Sequence, residues 1–174
     1  MKRGVVLLSL LLLATACEKT GYSRFSTKYN VYFNCDITVY PYNGVTTYGR
    51  FLTVRKSEGM LIIVDSDGKD FKQPLSDNDN RRFILGLSGL IIGTPTFNND
   101  GISVWAYDLG CPECDAPNVR LKIDRIDRTA SCSKCKGKWN LDSDGTPIND
   151  DGKELRPLYR YPTTQHGSIL TISN

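Results

Sequence analysis

Four of the six cysteines stand in two C-x-x-C pairs, Cys111/Cys114 and Cys132/Cys135. A C-x-x-C turn aims two thiolates the same way, and two such turns brought face to face put four sulfurs around one point. Four thiolates hold a [2Fe–2S] cluster, as in cysteine-only ferredoxins, or a single tetrahedral zinc or iron. In an oxidising compartment the same pairs, free of metal, close into disulfides. Residue type and spacing leave these three chemistries open. The charge around the pairs is mixed. Lys134, Lys136 and Lys138 offset the negative charge of a four-thiolate centre, while Glu113 and Asp115 oppose them.

Such a centre needs an element that brings the two pairs together. Val119, Leu121 and Ile123 alternate with Arg120, Lys122 and Asp124, the period of a half-buried strand. Asp124 to Asp127 supplies a polar turn, and Arg128 to Ser131 runs back antiparallel. The hairpin carries both knuckles to one end of a sheet, as a metal-binding tip over residues 108–139.

The rest of the chain reads as strands. Val31 to Val39 alternates cleanly, with the free thiol of Cys35 on the apolar face as a small hydrophobe. Pro41 to Gly44 is a turn, Tyr48–Arg55 and Met60–Asp65 are strands, and Ser66 to Lys69 is a hairpin turn before a short strand at Phe71. Ser76 to Asn80 reads as a polar loop. Phe83 to Gly93 is apolar but interrupted by glycine, which suits a bent strand followed by a buried one better than a helix. Asn98 to Gly101 is a turn, and a strand through Ile102, Val104 and Ala106 enters the first knuckle. Trp139 and Leu141 precede a tight turn at Asp142 to Gly145. After a polar loop at Asn149 to Gly152, Leu155 to Tyr161 returns the chain and Ser168 to Ser173 is the last strand. The fold class is all-β, with antiparallel sheets packed as a sandwich.

Several function classes drop out. The single histidine, His166, falls in a surface turn over Thr163 to Gly167, which leaves no imidazole for a metal site or a catalytic base. A formal net charge of +3 without a basic block gives no footprint for nucleic acid. The Asp65/Asp67/Asp70 and Asp77/Asp79 groups lack the spacing and terminal glutamate of an EF-hand and read as solvated turns. No phosphate-binding glycine motif and no Ser/His/Asp or Cys/His set is present, so no enzymatic mechanism can be named.

The N-terminus is read as a targeting segment. Lys2 and Arg3 precede an apolar run, Val5 to Leu13, too short to span a bilayer, and Leu13-Ala14-Thr15-Ala16 leads into Cys17. Small residues before a cysteine resemble a bacterial lipoprotein signal: residues 1–16 are the signal peptide, Cys17 is the lipid-bearing residue, and 17–29 form anchor and tether. The domain then spans 30–174 and sits in the cell envelope, attached to a membrane through the lipid.

From about Phe83 to Asn174 the chain resembles a Rieske domain. The strand V-W-A-Y-D enters C-P-E-C at Cys111–Cys114, and the second loop reads C-S-K-C-K-G-K-W, with Trp139 at the family's aromatic position. Asp142 and Gly145 match the turn that follows, Leu158 to Pro162 the return segment, and Ile169 to Ile172 the last strand. In that family two cysteines hold one iron and two histidines the other. Cys111 and Cys132 take the cysteine places. Glu113, with Cys114 one residue later, and Cys135 stand where the histidines belong. Exported Rieske-like lipoproteins with cysteine-only loops, of the kind seen in gut Bacteroidetes-type bacteria, resemble the chain more closely still. The resemblance implies the fold and points to a [2Fe–2S] cluster on Cys111, Cys114, Cys132 and Cys135 with electron transfer to a redox protein partner; the loss of both histidines separates the chain from the family's metal and redox behaviour, and the facing knuckles equally suit a single zinc or iron. The competing expectation is a non-enzymatic envelope binding module whose four-cysteine tip is a structural zinc site or is disulfide-linked.

Overall fold

The computed structural model describes residues 24–97, 104–148, 152 and 154–174. Among them the secondary structure is almost wholly β, in three antiparallel sheets, as expected. Cys17 and the signal segment, the Asn98–Gly101 turn and most of the Asn149–Gly152 loop lie outside the described residues.

The central sheet has six strands in the order β12-β7-β6-β2-β3-β4. These are Arg160–Tyr161 (β12), Trp105–Asp108 (β7), Leu90–Thr94 (β6), Arg50–Ser57 (β2), Met60–Val64 (β3) and Asp70–Pro74 (β4). β6 is buried at all five positions. Its alternate side chains serve two cores. Leu90 and Ile92 join Leu52, Val54 and Ile63 on one face, and Ile91 joins Phe51, Trp105 and Tyr107 on the other. A strand covered on both faces has no polar side to display, so its sequence is a continuous apolar run.

The first core is closed by a four-stranded sheet in the order β13-β14-β1-β5. Its strands are Thr163–His166 (β13), Ile169–Ser173 (β14), Val31–Asp36 (β1) and Ile84–Leu85 (β5). Val31, Phe33 and Cys35 of β1 and Leu170 and Ile172 of β14 point into that core. The second core is closed by the small sheet β11-β10-β9-β8, made of Lys122–Asp124 (β8), Thr129–Ser131 (β9), Lys138–Asn140 (β10) and Thr146–Pro147 (β11). Trp139, Leu121, Ala130 and the sulfurs of Cys111 and Cys132 pack there.

Local readings differ from the structure at several places. The strand read over Val31 to Val39 ends at Asp36, where the chain turns, and Val39 is 55% exposed. Ser76 to Asn80 is not a loop but opens a one-and-a-half-turn helix, α1, over Asp77–Arg82. Ser76 Oγ accepts from the Asp79 backbone N–H and donates to the Asp79 carboxylate, a reciprocal cap that makes a helix of a polar run. Thr163 to Gly167 is not a turn: Thr163–His166 pairs with β14 as an edge strand, with His166 exposed. Pro41 to Gly44 continues into a 3₁₀ turn over Tyr42–Thr46 whose Tyr42 and Val45 are buried. Asp65 is not solvated. It is 4% exposed and accepts from the Asp67 and Lys69 N–H groups and the Tyr40 hydroxyl, which pins the β3–β4 turn.

Candidate metal centre

The sulfurs of Cys111, Cys114, Cys132 and Cys135 all lie within 4.8 Å of one another. Across the knuckles the sulfurs stand 3.5 Å apart at Cys111 and Cys135 and 3.8 Å apart at Cys114 and Cys132. Cys35 is buried elsewhere, in the opposite core. Burial pushes its thiol up to about 12, assisted by the Asp36 charge, which leaves it an inert apolar filler.

Both knuckles are built alike. The Asp115 N–H donates to the Cys111 carbonyl at 2.9 Å, and the Lys136 N–H donates to the Cys132 carbonyl at 3.0 Å. Asp115 and Lys136, each one residue past the second cysteine, have φ of 50° and 65°. That left-handed step turns the chain back after each pair, so the first cysteine's N–H is free to close the loop. Cys111 N–H donates to Val119 O and Cys132 N–H to Gly137 O.

The electrostatics favour anionic sulfur at one corner. At Cys132, burial opposes ionisation, but the backbone N–H groups of Cys135 and Lys134 and the neighbouring thiols outweigh it and lower the thiol to about 7. At Cys111, burial dominates and pushes the thiol up. A cation at the centre supplies what burial removes, because coordination deprotonates a thiol outright. Cys111 and Cys132 are buried, whereas Cys114 and Cys135 are half-buried, so one edge of the centre faces solvent.

The two acids of the first knuckle are neutralised by partners far away in sequence. Glu113 accepts from both the backbone N–H and Nε of Arg156. Asp115 accepts from Lys28 Nζ at 2.5 Å, from the Tyr29 hydroxyl at 2.8 Å and from the Tyr159 hydroxyl at 2.9 Å. The Lys28 ammonium and these hydroxyls hold its carboxyl down at about 2. Lys134 and Lys136 remain exposed beside the second knuckle. The field at the site is therefore less negative than the sequence around Glu113 and Asp115 suggests.

Sequence reasoning missed the residue that fixes the first knuckle's foot. Asp108, the last residue of β7, is fully buried. Its carboxylate accepts from the Leu87, Ser88 and Gly110 N–H groups and from the Tyr161 hydroxyl at 2.7 Å. Burial pushes its carboxyl above the ordinary range, against the pull of those four donors. Gly86 makes the arrangement possible: its φ is +64°, and a Cβ there would lie 2.2 Å from Asp108 Oδ2. The signal available in the sequence was an aspartate ending an apolar strand two residues before Gly110. Arg160 was also missed. It is 2% exposed, reaches Asp144, and lies 4.1 Å over the Trp105 ring.

No protein-family model matches the sequence, and no curated protein matches it. Among solved structures the chain is similar to the ferredoxin of carbazole 1,9a-dioxygenase from Nocardioides aromaticivorans IC177. Identity is 15% and the TM-score 0.32, over 49% of this chain and 75% of that one. A superposition that loose carries no argument about this chain's activity or cofactor.

Proposed function

We propose that the chain is an envelope lipoprotein whose Rieske-like β domain holds one tetrahedral metal ion on Cys111, Cys114, Cys132 and Cys135. A single observation carries this reading: four sulfurs within 4.8 Å of one another. A zinc–sulfur bond of about 2.3 Å gives a tetrahedron with edges of about 3.8 Å, close to the 3.5 Å and 3.8 Å of the two cross-knuckle contacts. A [2Fe–2S] cluster would be held by the same four cysteines and would need room for two irons between the pairs, more than four sulfurs within 4.8 Å of one another leave. The ion joins the two loops that cap the second core, and its first role is to hold the tip together. The Rieske likeness rests on residues the fold uses: Trp139 buried behind the second knuckle, Gly145 packed on Leu158, and Tyr161 tied to Asp108.

Electron transfer to a redox partner is the second reading. It is favoured by the half-buried Cys114 and Cys135, which bring one edge of the site toward the surface. Both readings meet one test: metal analysis and an absorption spectrum of protein purified without oxygen. One zinc per chain and no visible bands support the staple. One iron with thiolate charge-transfer bands supports the carrier. Two irons with labile sulfide per chain overturn the mononuclear reading. The membrane link is tested apart, by Cys17→Ser, which should move the protein from the membrane to the soluble fraction. Unchanged fractionation removes the lipoprotein reading.

A further inference from the structure

A second concave site lies away from the four sulfurs, where β2, the last turn of α1, the Ile84–Gly89 segment and the start of the strand after the first knuckle meet. It is a cavity of about 460 Å³. Lys56, Arg81 and Arg120 line it, with no aspartate or glutamate. Among the described residues none of the three forms an ion pair. Gathered like charges repel one another, and an anion between them removes that repulsion.

Two of these cations are held in place by backbone. Lys56 Nζ donates to the Asn80 carbonyl and, at 3.1 Å, to the Phe83 carbonyl. An ammonium has three N–H donors, so one is left over. Arg120 Nε donates to the Ser88 carbonyl at 3.3 Å, which leaves the terminal guanidinium fork for a ligand. Groups fixed in advance lose little entropy when an anion arrives. Ile84, Leu87 and Pro117 add an apolar wall to the same pocket, and Ile84 is 45% exposed.

We propose that this pocket binds a phosphate ester, its phosphate on Lys56, Arg81 and Arg120 and its organic part against Ile84, Leu87 and Pro117. Three cations suit the anionic oxygens of a phosphate, and the Arg120 fork suits two of them at once. Free phosphate compounds and phospholipid headgroups share this chemistry. The proposal is independent of the metal at the tip, although the Ser88 backbone joins the two places: its carbonyl holds Arg120 and its N–H donates to Asp108.

The test is an NMR titration of the full chain at physiological ionic strength, with two probes: inorganic phosphate and soluble dihexanoyl phosphatidylglycerol. The expected result is saturable shifts at the amides of Arg81, Ser88 and Arg120 with at least one probe. Saturation by inorganic phosphate points to a free phosphate compound, and saturation by the lipid alone to a headgroup. Arg120→Gln should weaken binding roughly tenfold, as expected for a lost charge-assisted hydrogen bond. Because Arg120 also steadies Ser88, Arg81→Gln serves as a second variant that removes charge without touching the backbone links, and it should weaken binding several-fold. Absence of saturable shifts with both probes overturns the proposal, as does an affinity unchanged in Arg81→Gln and Arg120→Gln together.

Discussion

Asp108 illustrates how one residue can carry the geometry of a loop. A buried carboxylate is tolerated only where donors replace its water, and here three backbone N–H groups and one hydroxyl do so. Asp108→Asn keeps the size but turns an amide NH₂ toward N–H donors. We expect a loss of about 2–4 kcal/mol in urea unfolding, since bonds to a charged acceptor are lost and donors are left unsatisfied. Tyr161→Phe removes one of the four donors and should cost less, about 1–2 kcal/mol. Equal stability of Asp108→Asn and the parent would show that the carboxylate is dispensable. At the sulfurs the expectation concerns pH. A metal-bound thiolate releases its proton far below the range of a free thiol, so bound metal adds stability at neutral pH that is lost as pH falls. Holding the protein at stepwise lower pH should release the ion in acid, followed with a chromogenic chelator.

Among the elements, α1 has no buried residue and is held by its cap, by Arg82 on Tyr32 and by the Lys56 ammonium on the Asn80 carbonyl. Ser76→Ala should therefore cost about 1 kcal/mol and raise amide exchange within Asp77–Arg82 before any other element. The opposite sensitivity belongs to the β5–β6 turn. Gly86→Ala forces a side chain into a left-handed backbone and against Asp108 and Tyr161. Its cost should exceed about 1 kcal/mol in the same unfolding assay. A neutral Gly86→Ala would mean that the turn can move away from Asp108.

The whole molecule is layered: the six-stranded sheet lies between a four-stranded sheet and the cysteine tip, with a core on either side. The two cores depend differently on the proposed ion. The core behind β1 and β14 is closed by side chains such as Phe33, Leu52, Ile63 and Ile172 and needs no metal. The core behind the tip contains Cys111 and Cys132 and is covered by loops with few backbone pairs of their own. Stripping metal, or Cys132→Ser, should lower the melting temperature and deprotect β8–β11 in hydrogen exchange while β1, β2, β6 and β14 keep their protection. Collapse of all three sheets together would mean that the layers are one cooperative unit.

The sequence by itself determined the β class, the two knuckles and their common destination. Period-two alternation, glycine-bounded turns and C-x-x-C spacing are local signals, readable over ten residues or fewer. It also carried the burial of Cys35, because one thiol on an apolar face has only one place to go. The tertiary structure alone decided what surrounds the sulfurs. Lys28 and Tyr29 meet Asp115 across more than eighty residues, and Arg156 meets Glu113 across 43. No spacing rule connects such positions, since their proximity follows from how the sheets stack. The same reason hid Asp108, three of whose four donors come from the β5–β6 turn and β12, and the gathering of Lys56, Arg81 and Arg120 around one pocket. The α1 helix was missed for a different reason: a polar run has no hydrophobic period, and only its Ser76–Asp79 cap marks it.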